Sequence, residues 1–164
     1  MAITFNADEA LKMAVRIEQN GAAFYRKAAE FKKDDGSSDF LIELAEMEDE
    51  HEKTFESMRA ELADEEKGGN AYDPYDEAAL YLGAMADSHG GEGDPGAAEK
   101  LTGDEGLDEI LNIAIGLEKE SILFYTGLKD MVPEHLGKEK LDDIIGEERG
   151  HVAILAKKRI SLKG

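Results

Sequence analysis

The chain has no cysteine and no tryptophan among its 164 residues. Without thiols it carries no disulfide framework, no cysteine nucleophile and no thiolate-ligated metal or iron–sulfur cluster of its own. Basic residues are scarce: 19 Lys and Arg stand against 38 Asp and Glu, a formal net charge of −19. Such a field repels nucleic-acid phosphates and anionic membranes and concentrates cations. No nucleic-acid or membrane partner is therefore expected. No apolar run approaches the roughly 20 residues of a membrane span. The opening "MAITFNADEA" lacks the basic and apolar regions of a secretory signal. A cytoplasmic protein is the expectation. The three prolines and most of the glycines gather outside the periodic segments.

What is present is helical periodicity, in four long segments. They run from Ala7 to Lys32, Asp39 to Lys67, Asp104 to Val132, and Lys138 to Leu162. "NADE" can cap the first, Thr102 and Glu105 the third, and Gly68-Gly69 and Pro133 act as stops. No segment alternates with period two, so no sheet is predicted. Residues 68–103 join the second and third helices, far more than the usual 2–8-residue connection. Within them "YDPYDEAALYLGAMADS" predicts a short helix from Pro74 to Asp87, followed by a flexible Gly-rich loop. Long helices span roughly 40 Å, and a connection of this length can return from one end of a bundle to the other. The expected architecture is all-α. It is one domain of two helical hairpins, 7–67 and 104–162, forming a four-helix bundle with one long crossover.

A gapless shift of 100 positions exposes an internal repeat. Leu11 meets Leu111, Glu18 meets Glu118, and Phe24-Tyr25 meets Phe124-Tyr125. Glu48 meets Glu148 and His51 meets His151. All six Glu and His residues lie on the apolar stripe of their helix, as in Leu41, Leu44, Glu48, His51, Phe55, Met58 and Leu62. The middle of each helix thus turns a carboxylate toward the core, and two of them add an imidazole one turn later. Four buried carboxylates are untenable uncompensated, because each desolvated charge costs several kcal/mol and like charges repel. Two divalent cations would balance four glutamates and two neutral imidazoles. Glu and His at i and i+3 share a face and can reach one metal pair. The predicted ligands are Glu18, Glu48, His51, Glu118, Glu148 and His151, with Glu48 and Glu148 bridging and each His terminal. Mixed carboxylate and imidazole donors suit iron, manganese or zinc.

These residues resemble a known group. "RIEQNGAAFY", "EDEH", "GLEKESILFY" and "ERGH" look like the ferritin-like di-iron carboxylate superfamily, and most like its rubrerythrin branch. "ALYLGAMADS" in the crossover is similar to rubrerythrin-related chains too. The resemblance implies two iron ions cycling between ferrous and ferric states. It implies an oxidoreductase that reduces hydrogen peroxide or dioxygen, as a peroxidase or a ferroxidase. The alternative is a non-enzymatic, iron-sequestering ferritin-like protein. Rubrerythrins carry a four-cysteine rubredoxin-like domain; with no cysteine here, electrons need an external donor such as a rubredoxin-like protein. A homodimer is also expected. Rubrerythrins have an extra glutamate where this chain has Ser121, which puts redox-linked ligand exchange in doubt.

Tyr25 and Tyr125 each follow their glutamate by seven residues. Either phenol could hold a ligating carboxylate or supply an electron; equally, both could be core tyrosines. Gly21 and Ser121, also matched, could leave space for peroxide or simply for helix packing. Gly146 and Gly150 suggest close backbone approach beside His151. His89 and His135 read as solvated.

Overall fold

The computed structural model describes residues 6–33, 36–62, 77–88 and 96–164. Its helices are α1 (Ala7–Phe31), α2 (Ser38–Glu61), α3 (Glu77–Ser88), α4 (Ala97–Lys100), α5 (Leu107–Leu128) and α6 (Lys138–Leu162), with a 3-10 turn at Glu134–Leu136. No strand occurs among the described residues. None of their helices is long and apolar enough to cross a membrane.

The predicted cap of α1 forms as a reciprocal box. Asn6 Oδ1 accepts from Glu9 N–H at 2.9 Å, and Glu9 Oε2 accepts from Asn6 N–H at 3.2 Å. Three boundaries differ by more than one residue from the sequence reading. α2 stops at Glu61, because Leu62 takes an extended backbone and sinks its side chain into the core; residues 63–76, which include the predicted stop at Gly68-Gly69 and the predicted start of the crossover helix, lie outside the described residues. α5 begins at Leu107, not Asp104. The Glu105 carboxylate instead closes a turn before the helix, accepting from the backbone N–H of Thr102 and of Gly103, each at 2.9 Å. α5 ends at Leu128, although Met131 and Val132 beyond it remain buried. A fourth difference is in the Gly-rich loop: its residues 97–100 make the helical turn α4. Ala98 there and Leu101 after it are buried, and that anchoring orders this part of the loop.

Polar contacts give the directions of the helices. Arg59 near the end of α2 forks onto Asp8 at the start of α1, at 3.0 and 3.3 Å. At the matched place in the second hairpin, Arg159 forks onto Asp108, at 2.8 and 3.0 Å. Each hairpin is therefore antiparallel. Tyr25 reaches Glu118 while Tyr125 reaches Glu18, so α1 and α5 also run in opposite directions. It follows that α2 and α5 are parallel, as the long crossover predicted.

The core forms two apolar clusters. One gathers Leu11, Phe55, Met58, Phe124, Leu128 and Leu141 where α1 and α6 begin and α2 and α5 end. The other gathers Phe24, Leu41, Leu44, Ile110, Leu111 and Leu155 at the opposite end. The apolar residues of the stripe predicted for α2 divide between them, Phe55, Met58 and Leu62 in the first and Leu41 and Leu44 in the second. The crossover contributes Leu82 of α3 to the first cluster and Ala98 and Leu101 to the second, so it follows the length of the bundle.

Helix α3 packs on α5 at Gly127. The Tyr81 ring lies where a Cβ on Gly127 would stand, and its hydroxyl donates to the Leu123 carbonyl. Gly127→Ala gains up to about 1 kcal/mol of helix propensity, but the collision with a rigid ring costs roughly 1–3 kcal/mol. Net destabilisation is expected, with faster proteolysis of the crossover. A higher melting temperature with unchanged crossover protection would show that Tyr81 yields without cost.

Candidate metal centre

Between the two apolar clusters lies a polar layer. α1 contributes Glu18, α2 contributes Glu48 and His51, α5 contributes Glu118, and α6 contributes Glu148 and His151. None is more than 4% exposed. All six predicted residues thus meet at one height. Their donor atoms form two overlapping groups, Glu18–Glu48–His51–Glu148 and Glu48–Glu118–Glu148–His151, each with its atoms within 4.8 Å of one another. Glu48 and Glu148 belong to both.

The orientations within the layer do not suit hydrogen bonding alone. His51 Nδ1 stands 2.8 Å from Glu148 Oε1 and 3.5 Å from Glu18 Oε2. Yet none of these three atoms has a hydrogen-bond partner, because they are close but misaligned. Glu48 Oε1 is also buried and unpartnered among the described residues, as is His151 Nε2 on the side of its ring away from the layer. His151 Nδ1 lies 3.2 Å from Glu48 Oε1, 3.5 Å from Glu118 Oε1 and 3.1 Å from Glu148 Oε2. Buried polar atoms left without partners cost about 1–3 kcal/mol each. Lone pairs converging on shared points are what cations between them would satisfy, so the residues fit a pair of metal ions.

The two tyrosines cross the bundle. Tyr25 of α1 donates to Glu118 of α5, and Tyr125 of α5 donates to Glu18 of α1. Each phenol therefore holds the glutamate of the other hairpin, a role left open by the sequence alone. Burial first, and then the neighbouring carboxylates, keep both phenols protonated far above their ordinary range. Ser121 points its hydroxyl back at the Leu117 carbonyl, at 3.0 Å. A cavity of about 280 Å³ reaches the layer beside Gly21, Tyr25, Glu48, Glu118 and Ser121. A Cβ at Gly21 would stand 3.0 Å from Glu48 Oε2, so glycine gives that carboxylate room. By contrast, nothing among the described residues lies within 4 Å of a Cβ at Gly146 or Gly150. The close approach expected there is absent; both face open space. His135 is exposed, and His89 lies outside the described residues.

One crystal structure comes from Thermotoga maritima and is of a candidate ferritin-like diiron-carboxylate protein. It matches over 95% of this chain and 95% of its own, at 27% identity and a TM-score of 0.67. The fold is ferritin-like. No protein-family model and no curated protein matches the chain. In this ferritin-like bundle the two clusters of buried glutamate and histidine are suited to two metal ions.

One neighbour of the layer escaped the sequence reading. Glu147, half-exposed, places Oε2 2.6 Å from His51 Nε2. The only signal for it was a mismatch in the repeat, Met47 against Glu147.

Metal-free, the layer is neutralised by protons. Burial lowers the affinity of His51 for its proton, but the Glu148 and Glu18 carboxylates beside it outweigh this and push it up to about 11. His151, among Glu118, Glu148 and Glu48, is likewise pushed up to about 12. Burial raises Glu118 to about 8 and lifts Glu18 well above the carboxylate range. Glu148 goes the other way: burial would raise it, but the adjoining Glu118 carboxyl and the His151 and His51 imidazoles outweigh this and lower it. A raised folded-state value gives stability that is complete below the unfolded value and lost as pH rises through the folded one. For Glu118 that window runs from 4.5 to about 8, and for His51 from 6.5 to about 11. Chelated protein should therefore melt at lower temperature as pH rises from about 6 to about 9. Metal-loaded protein should melt higher at neutral pH and show a flatter profile, since cations replace the protons. Calorimetry across that range decides it; a chelated form that gains stability with pH would contradict this electrostatic account.

Proposed function

We propose that the chain holds a dinuclear iron centre and uses it to reduce hydrogen peroxide or dioxygen with electrons from an external donor. The observation that carries this is the convergence of four glutamates and two histidines into two clusters sharing Glu48 and Glu148. Glu18 and His51 would hold one ion and Glu118 and His151 the other, with the shared Glu48 and Glu148 available to both. Mixed oxygen and nitrogen donors favour iron, with manganese or zinc as competitors. The diiron description of the Thermotoga maritima protein supports the same choice. The quoted motifs favour the rubrerythrin branch within the superfamily.

Two iron ions so held supply one electron each, the number that turns one hydrogen peroxide and two protons into two waters. The residues contribute the rest. Tyr25 and Tyr125 each fix one oxygen of Glu118 and Glu18, and the other oxygen of Glu18, Oε2, is left buried without a hydrogen-bond partner. The cavity beside Gly21 and Ser121 admits a small oxidant from one side of the layer.

Metal analysis of protein purified without oxygen should give two irons per chain. Peroxide should then oxidise the ferrous form at one peroxide per iron pair, and a reduced donor should restore it. Retention of many irons per chain without donor oxidation would point to storage instead. Glu48→Ala and Glu148→Ala should damage metal binding to a similar degree, because each removes a shared ligand. Two ions bound with unaltered affinity in either variant would refute the bridging assignment.

A further inference from the structure

The six facing residues and the two tyrosines beside them repeat pair by pair, but the groups behind the two histidines do not. His51 presents Nδ1 to the layer, 2.8 Å from Glu148 and 3.5 Å from Glu18. Its other nitrogen, Nε2, lies 2.6 Å from the carboxylate of Glu147. His151 also presents Nδ1 to the layer, toward Glu48, Glu118 and Glu148. Its Nε2 is buried with no hydrogen-bond partner. The residue matching Glu147 in the first hairpin is Met47, whose thioether is at best a weak acceptor.

An imidazole that ligates through Nδ1 must carry its proton on Nε2. A carboxylate accepting that proton's hydrogen bond fixes the tautomer and the ring orientation, and makes the ligating nitrogen a stronger donor. We infer that the two metal positions are inequivalent, and that Glu147 is the positioning residue that makes the position beside His51 the tighter one. His51 is held on both sides, by the layer and by Glu147. His151 is held on one side only and must settle its proton without an acceptor. The Glu147 side chain is 56% exposed, so it tolerates substitution without leaving a hole in the core. The inference rests on the dinuclear reading above, and the test separates the two.

Cobalt(II) serves as the probe, titrated into metal-free protein and read by visible absorption and chelator competition. Glu147→Met places at 147 the residue type that the repeat has at 47. It should weaken the tighter step by about 10–100-fold, leave the weaker step in place, and change the absorption of the first cobalt bound. Glu147→Gln keeps a neutral acceptor and should restore most of the lost affinity. Met47→Glu should strengthen the weaker step. Two bound ions in wild type with no change in Glu147→Met, or equal weakening of both steps, would overturn the inequivalence alone. A loss that Glu147→Gln does not rescue would overturn the hydrogen-bond role. Failure of wild type to bind two ions would overturn the dinuclear reading and this inference with it.

Discussion

Everything in this bundle is arranged around one constraint: six ionisable side chains occupy the middle of its interior. Glu18 and Glu148 are wholly buried, and the other four nearly so. Charges so placed cost several kcal/mol each unless opposite charge, metal or protons accompany them. In metal-free protein the accompaniment is protonic, with both imidazoles and at least Glu18 and Glu118 holding on to protons. The misaligned contact of His51 Nδ1 with Glu148 Oε1 shows how imperfect that solution is. Cations at the points of convergence would satisfy the same atoms without requiring hydrogen-bond angles. Metal binding is thereby linked to both proton release and folding stability.

The layer also explains the topology. Neither hairpin contains a complete cluster. The first supplies Glu18, Glu48 and His51 but needs Glu148; the second supplies Glu118, Glu148 and His151 but needs Glu48. Matched hairpins must therefore face each other in one register. The crossed tyrosines tie Glu18 and Glu118 each to the opposite hairpin, reinforcing that register at the layer. The forked pairs Arg59–Asp8 and Arg159–Asp108 fix each hairpin's own alignment. With α2 parallel to α5, the chain must travel the bundle's length between them. Tyr81 against Gly127 and Leu101 in the far cluster mark that path.

The sequence revealed most of this because its information is periodic. Glu48 and His51 fall on the stripe of Leu44 and Phe55, and Glu148 and His151 repeat the pattern, so helices, core faces and ligand set could be read together. What escaped was set by contacts between distant segments. Gly127 matters because a ring from the crossover lies on it, and nothing local announces that. Glu105 resembles the N3 residue of a capping box, but Gly103, with φ 94°, turns the backbone and the carboxylate closes a turn instead. Gly146 and Gly150 suggested crowding only because glycine is costly in a helix; the space beside them is open. Glu147 fell off the stripe and was passed over, although a long side chain at the edge of a face can reach across to a neighbouring helix.

Departures from the repeat are as informative as the repeat. At the layer itself the halves agree, Glu for Glu and His for His. Just outside it Tyr25 and Tyr125 still match, but Gly21 stands against Ser121 and Met47 against Glu147. Gly21 leaves room for Glu48 Oε2, whereas Ser121 carries a side chain and ties its hydroxyl to its own helix. Glu147 grips His51, while the outer nitrogen of His151 has no partner. The residues of the layer are thus constrained to match by the need to neutralise one shared charge cluster. Their neighbours bear no such constraint and can differ without exposing a buried charge. Any distinction between the two metal positions must therefore be written in those neighbours, where a change alters orientation and space but leaves the balance of charge in the layer intact.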